Sequence, residues 1–177
     1  MIEMSVDSVR INLETQQRVV ILKALDQDRY LFIWIAHPEA YAIAVQLQGT
    51  ISPRPLTHDL MKNLLERIEA KVIRVVISDV VEEIFYSEII LDVAGQEMEI
   101  DARPSDAIAL AVRMNTPIFV AEQVLEKCDK HVDQEEKVST PPAETKEVER
   151  EQPAIDTGSE TALSDESGRE RDEDSQD

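Results

Sequence analysis

Every aromatic residue of this 177-residue chain lies before position 120: Tyr30, Phe32, Trp34, Tyr41, Phe85, Tyr86 and Phe119. Beyond residue 130 only scattered Val, Ala, Leu and Ile remain among charges, Ser, Thr and Pro. Such a segment buries too little apolar surface to offset the entropy of ordering it. Charge divides the chain at the same place. Residues 1–127 hold 12 basic and 20 acidic side chains, whereas 128–177 hold 6 and 17, so the last 50 residues carry −11 of the net −19. The sequence therefore predicts one folded domain over 1–130, a size that supports a single core, and a disordered acidic tail over 131–177.

Several classes are excluded at once. A membrane helix needs about 20 consecutive apolar residues, and the longest runs, Tyr30 to Ala36 and Ala40 to Val45, are far shorter. Glu3, Asp7 and Arg10 interrupt the N-terminal apolar residues, unlike a secretory leader. Cys128 is the one cysteine, so an internal disulfide and a cysteine-based zinc site are ruled out. The expectation is a cytoplasmic protein with no membrane segment. Gly49 and Gly95 are the only glycines before residue 130, leaving no Gly-rich phosphate loop, and no serine or cysteine nucleophile motif is present.

Three β-type runs fill Met1 to Ile35, broken at Glu14 to Gln17 and at Asp26 to Arg29. Ala40 to Gln48 is apolar on every face and predicts a buried helix, with Pro38 at its start and Gly49 at its end. Thr57 stands where it can cap an amphipathic helix whose Leu60, Met61, Leu64, Leu65 and Ile68 repeat at helical spacing. Val72 to Val81, Ile84 to Val93 and Glu97 to Ile100 predict an antiparallel meander. A buried helix to Met114, a short strand Ile118 to Val120 and a last helix Glu122 to Lys127 complete the order βββ-αα-βββ-α-β-α. Helices grouped between runs of strands argue an α+β fold with a mostly antiparallel or mixed sheet. Its exposed strand edges admit a homodimer.

One local device occurs twice. Arg54-Pro55-Leu56-Thr57-His58-Asp59 and Arg103-Pro104-Ser105-Asp106 each place an arginine before a helix and an aspartate in its first turn. A helix N-terminus offers free N–H groups and partial positive charge, and an adjacent guanidinium adds a two-toothed donor, so each suits a phosphate oxygen. Both segments read equally as ordinary caps, and His58 as an exposed first-turn residue. The carboxylates near these helix starts, Glu39, Asp59, Asp101 and Asp106, are the oxygen ligands that Mg²⁺ or Mn²⁺ takes, with water and phosphate completing the shell. Such an ion assists phosphodiester displacement while His58 or a carboxylate moves the proton. Three histidines in a β-rich chain do not match the helical His-Asp phosphohydrolases. Arg54, Lys62, Arg67, Lys71, Arg74, Arg103 and Arg113 provide a local basic strip in a domain that is acidic as a whole.

These same segments resemble the bifunctional nuclease domain family. The resemblance is carried by Leu31-Phe32-Ile33-Trp34-Ile35 with Glu39-Ala40, by Arg54 to Leu60, by Asp101 to Ile108, and by Pro117-Ile118-Phe119-Val120. It covers residues 1–127 and departs from the family pattern at Ala36-His37-Pro38, where a glycine is more usual. The resemblance implies an α+β nuclease acting on DNA and RNA. On the matched positions, His58, Asp59 and Asp106 are the candidate catalytic residues, Arg54, Arg103 and Ser105 the candidate phosphate ligands, and Asp59, Asp106, Asp101 and Glu39 the candidate metal ligands. The alternative is a non-catalytic binding or regulatory module, with the acidic tail or the domain contacting protein or nucleic acid.

Overall fold

The computed structural model describes residues 1–135 and the short strand Lys146–Glu147, with side chains described for 1–129. Two antiparallel meanders make up most of the sheet. The first comprises β1 (Ile2–Ile11), β2 (Arg18–Ala24) and β3 (Tyr30–Ile35); after α1 (His37–Leu47) and α2 (Thr57–Arg67), β4 (Lys71–Val81), β5 (Ile84–Val93) and β6 (Gln96–Ala102) form the second. Next come α3 (Pro104–Met114), β7 (Ile118–Val120), α4 (Glu122–Glu135) and β8 (Lys146–Glu147). The seven main strands lie in the order β3-β2-β1-β7-β4-β5-β6. β7 joins the meanders, antiparallel to β1 through Ile2↔Val120 and parallel to β4 through Val75↔Ile118. The fold is α+β with a mixed sheet, in the predicted element order.

The core is aliphatic and lies between the sheet and the helices. Val20, Leu22, Leu31, Ile33, Val75, Ile77 and Ile89 from the strands meet Ile43 of α1, the apolar length of α3, and Val124 and Leu125 of α4. α3 is the central helix, buried from Pro104 to Ala111 except at Asp106, and buried again at Arg113. It ends on Asn115, whose φ of 52° is the left-handed conformation that asparagine tolerates well. Burial of large aliphatic groups at about 1.5–3 kcal/mol each makes this layer the main stabilising element.

Three details differ from the sequence-based expectations. α1 is buried at Ala40, Ala42 and Ile43 only, while Tyr41 and Leu47 are exposed, because the helix covers the sheet with one face. Thr57 is not the cap of α2. Leu56 holds that position, and the Asp59 carboxylate accepts its N–H at 2.8 Å. α4 extends eight residues past Lys127 to Glu135, across the predicted boundary at 130. β8 pairs with Arg10 and Ile11 of β1; the rest of the tail predicted to be disordered, from 136 onward, lies outside the described residues. Among the described residues no helix is long and apolar enough to cross a membrane.

The β4–β5 hairpin turns on Glu82 and Glu83, both at positive φ (50° and 66°), with Val81 paired to Ile84. A two-residue turn of this kind favours Asn-Gly, whereas Glu-Glu bears a steric cost of about 1 kcal/mol or more per residue and sets two like charges side by side. Replacing the pair with Glu82→Asn and Glu83→Gly is expected to stabilise the protein by about 1 kcal/mol or more. Urea unfolding checks this, with the midpoint rising at unchanged slope.

Candidate functional site

The start of α3 is where the predicted residues converge. Pro104 occupies the first helical turn after Arg103, whose extended backbone (φ −66°, ψ 141°) turns its side chain back over the helix N-terminus. The Arg103 guanidinium donates from Nε to Asp106 Oδ2 at 2.7 Å and from Nη2 to Glu39 Oε1 at 2.7 Å. Glu39 comes from the first turn of α1, so this arginine ties two helix N-termini together. His58 of α2 completes the chain, its Nε2 lying 3.0 Å from Asp106 Oδ1. An ionised carboxylate only accepts, so Nε2 carries the hydrogen of that bond.

The glycine expected between β3 and α1 is not needed. Ala36 caps α1 at φ −77° and ψ 165°, ordinary extended backbone that any residue adopts. The Ala36-His37-Pro38 sequence therefore delivers Glu39 to the site without a special conformation.

Electrostatics fix the charge states. Burial pushes the Asp106 carboxyl up, but hydrogen bonds from Arg103 and His58 and their charges outweigh it and leave the pKa below the ordinary range. The same bonds from Asp106 and Glu39 raise the Arg103 pKa further and keep the guanidinium charged. Its side chain is 67% exposed, and Nη1 has no bond within the cluster, so the outer edge of the cation faces solvent. His58 is different. At 7% side-chain exposure it is sealed between α2 and α3, which corrects its reading as an exposed first-turn residue.

Asp59 belongs to another group. Its Oδ2 accepts the Leu56 N–H, and its Oδ1 accepts Arg113 Nε at 2.6 Å. Arg113 is 2% exposed and spends Nη1 on the Ala109 carbonyl at 2.9 Å. Expected in a basic strip, this arginine is instead the buried bolt between α2 and α3. One sequence signal could have found it, since a lone charge near the end of an otherwise apolar helix must bring its own counter-charge. The strip is broken elsewhere too, with Arg74 bonded to Glu97 and Lys62 beside Glu66.

The remaining candidates are scattered. Arg54 is exposed in the loop before α2, outside the network. Ser105 is buried in the first turn of α3. Asp101 is exposed on β6, in register with Glu88. The four predicted metal ligands are thus not one set: Asp59 and Asp101 stand apart, and only Glu39 and Asp106 are drawn together, by Arg103. Among the described residues no three His, Cys, Asp or Glu side chains gather as a metal cage. Glu39 Oε2, however, is buried with no hydrogen-bond partner, so this carboxylate retains capacity for a further donor or a cation. A hollow of about 300 Å³ lined by Gln46, Thr50, Ile51, Ser52, Pro55, Asp59 and Asn63 opens beside α2.

The family model described as "Bifunctional nuclease domain" matches residues 20–133, and the chain belongs to that family. An uncharacterized protein of Mycobacterium tuberculosis (strain CDC 1551 / Oshkosh) is 37% identical over 156 residues, covering 88% of this chain and 93% of its own length. "Bifunctional nuclease 1" of Oryza sativa subsp. indica is 29% identical over 120 residues, which are 66% of this chain and 36% of the rice protein.

Asp59 and Arg113 form a pair whose separation leaves a buried charge. Asp59→Ala is expected to cost about 3–5 kcal/mol, read from chemical denaturation. The wild-type carboxyl has its pKa held below the ordinary range: burial raises it, but the Leu56 N–H and Arg113 lower it more. A depressed folded-state pKa gives stability that is present above the unfolded value and lost as pH falls through the folded one. Wild-type stability is therefore expected to decline below about pH 4, and Asp59→Asn to weaken that decline, measured by thermal melts across about pH 2–6.

Proposed function

We propose that the protein is a nuclease that hydrolyses phosphodiester bonds of DNA or RNA at the cluster Glu39–Arg103–Asp106–His58. The observation that carries this reading is the geometry of Arg103, held at Nε and Nη2 by two carboxylates while Nη1 has no bond in the cluster and the side chain is 67% exposed at the N-terminus of α3. A guanidinium held this way is pre-oriented for a phosphate oxygen and keeps its donors aimed while charge builds on the transferring group. In the first turn of α3, Pro104 has no N–H and the amides of Asp106 and Ala107 are bonded to the Arg103 carbonyl, which leaves the Ser105 N–H as the further donor. Family membership and the name of the rice relative support the same reaction.

The other residues act on Arg103. Asp106 aims it, and His58, too deeply set to meet a polymer, holds Asp106 in place as a positioning residue. Glu39 holds the neighbouring nitrogen, Nη2. Its unpaired Oε2 is the atom we assign to a Mg²⁺ or Mn²⁺ ion arriving with the nucleic acid, with Asp106 as its neighbour. When bound, such an ion would neutralise charge on the phosphate and promote ionisation of water. Arg54 and the hollow beside Asp59 are the path we assign to the flanking phosphate chain.

A second reading has one observation in its favour. Asp59, among the motif residues, has one carboxylate oxygen in a helix cap and the other in an ion pair, as in a binding module that uses these positions for stability.

Cleavage of single- and double-stranded DNA and RNA, with Mg²⁺, with Mn²⁺ and with chelator, compares the wild type with Arg103→Ala and Arg103→Lys. Arg103 is exposed but is the ion-pair partner of the largely buried Glu39 carboxylate, so a thermal melt of each variant accompanies the assay. Arg103→Ala is expected to lower kcat/KM by about 100-fold or more, and lysine to restore little, since it lacks the planar fork. Undiminished cleavage by Arg103→Ala would move the chemistry elsewhere, and inactive wild type would favour the binding module.

A further inference from the structure

None of the described aromatic side chains is fully buried, and only Phe85 packs against the core. Tyr30, Phe32, Trp34, Tyr41 and Tyr86 are exposed, Phe85 and Phe119 are half-buried, and the buried set is wholly aliphatic apart from a few polar groups. Three of the exposed rings form a row. Tyr30, Phe32 and Trp34 alternate with buried Leu31 and Ile33 along β3, so all three project from the sheet face opposite the core. β3 ends the strand order, and its outer edge has no neighbour among the described residues.

The cross-strand register shows what lies beside that row. Trp34 stands opposite Val19, Phe32 opposite Ile21 and Tyr30 opposite Lys23; on β1 these positions continue to Arg10, Ser8 and Ser5. Along this face Val19 and Ile21 of β2 are buried, at 8% and 4% exposure, between the exposed rings of β3 and the Ser8 and Arg10 positions of β1. Lys23 Nζ lies 5.3 Å from the Tyr30 ring centre, which adds a cation to that face. The β1 margin carries both signs of charge: Asp7 accepts the Ser8 hydroxyl at 2.9 Å, Glu147 of β8 is in register with Arg10, and Glu3 lies near the start of β1.

We propose that this face of β1, β2 and β3 binds single-stranded nucleic acid by stacking bases on Trp34 and Phe32. Exposed aromatic rings accept any base, and Lys23 and Arg10 beside them offer individual cations to the backbone. Alternate strand residues are about 6.8 Å apart, twice the roughly 3.4 Å rise between stacked bases, so a strand must be splayed to use both rings. Paired bases in a duplex cannot splay in this way. β3 also leads straight into α1, so Trp34 is five residues before Glu39 in the chain, on the sheet face opposite the one the helices cover. The inference rests on the proposed nuclease reading for its ligand and deepens it by naming the form of substrate the chain would grip.

Trp34 is the chain's single tryptophan, so its fluorescence reports on this face alone. The full chain is titrated with a dT or rU oligomer of roughly 12 nucleotides, within the range one such binding face spans, and with a duplex of equal length, in chelator to prevent turnover. Saturable quenching by the single strands is expected, with at least ten-fold weaker response to duplex and loss of affinity at higher salt. In fluorescence anisotropy with a labelled oligomer, Trp34→Ala and Phe32→Ala are each expected to bind roughly 5- to 150-fold more weakly, and Trp34→Phe to recover most of the affinity. Both side chains are more than half exposed (62% and 52%), so the variants are expected to keep the wild-type melting temperature.

Unchanged affinity in Trp34→Ala and Phe32→Ala, or equal binding of duplex, overturns the proposal. A fluorescence change that follows protein concentration and ignores oligomer also overturns it, assigning the face to a second copy of the chain. The two readings fail separately. Quenching without cleavage in Mg²⁺ or Mn²⁺ keeps the platform and removes the nuclease, whereas cleavage with no quenching does the reverse. Arg103→Ala, which is expected to abolish cleavage, is expected to retain the quenching.

Discussion

Three residues hold the sheet together. Ile118, Phe119 and Val120 pair antiparallel with β1 on one side and parallel with β4 on the other, and without them the protein is two separate three-stranded meanders. Each meander alone would have two raw edges and half a core. β7 is short because it needs only to satisfy backbone groups between strands already registered by their own hairpins. Its side chains also matter: Ile118 and Val120 are buried in the same cluster as α3.

α3 precedes β7 and is the body against which everything else is placed. It packs on α1, α2, β4 and β5. The polar contacts at its two ends have different characters. At its start, Arg103 and Asp106 collect Glu39 and His58 into a network open to solvent on one side. Near its end, Arg113 is closed off with Asp59, a pair whose value lies in the penalty for separating it rather than in net attraction. The open network can meet a ligand; the closed one secures α2 so that His58 reaches Asp106. This division explains why neighbouring residues, His58 and Asp59, point into different assemblies.

The fold was largely legible because local signals agreed with one another. Gly95, the breaks at Glu14 and Asp26, and the alternating runs of β4 to β6 marked the hairpins. The nearly unbroken apolar helix Pro104–Met114 announced a central position. Less legible was the site. Arg54 and Arg103 occur in similar Arg-Pro segments, yet only Arg103 has carboxylates within reach. Asp59 and Asp106 both read as first-turn acids, and the partner that separates their roles, Arg113, comes from the far end of α3. Glu39 joins Arg103 across 64 positions of sequence. No periodicity or cap preference records such a meeting.

Sequence alone determined the division between an aromatic-bearing, core-forming part and an acidic remainder, the order of elements and the family to which the motifs belong. The first two follow from composition or spacing along the chain, which local sterics and hydrophobic patterning read directly, and the third from the resemblance of its motifs. Tertiary structure decided which charges are buried, which carboxylate faces which guanidinium, and that the aromatics of β3 lie outside while its aliphatics lie inside the core. Those outcomes depend on how helices cross and strands register, so they are set by contacts between residues far apart in the chain.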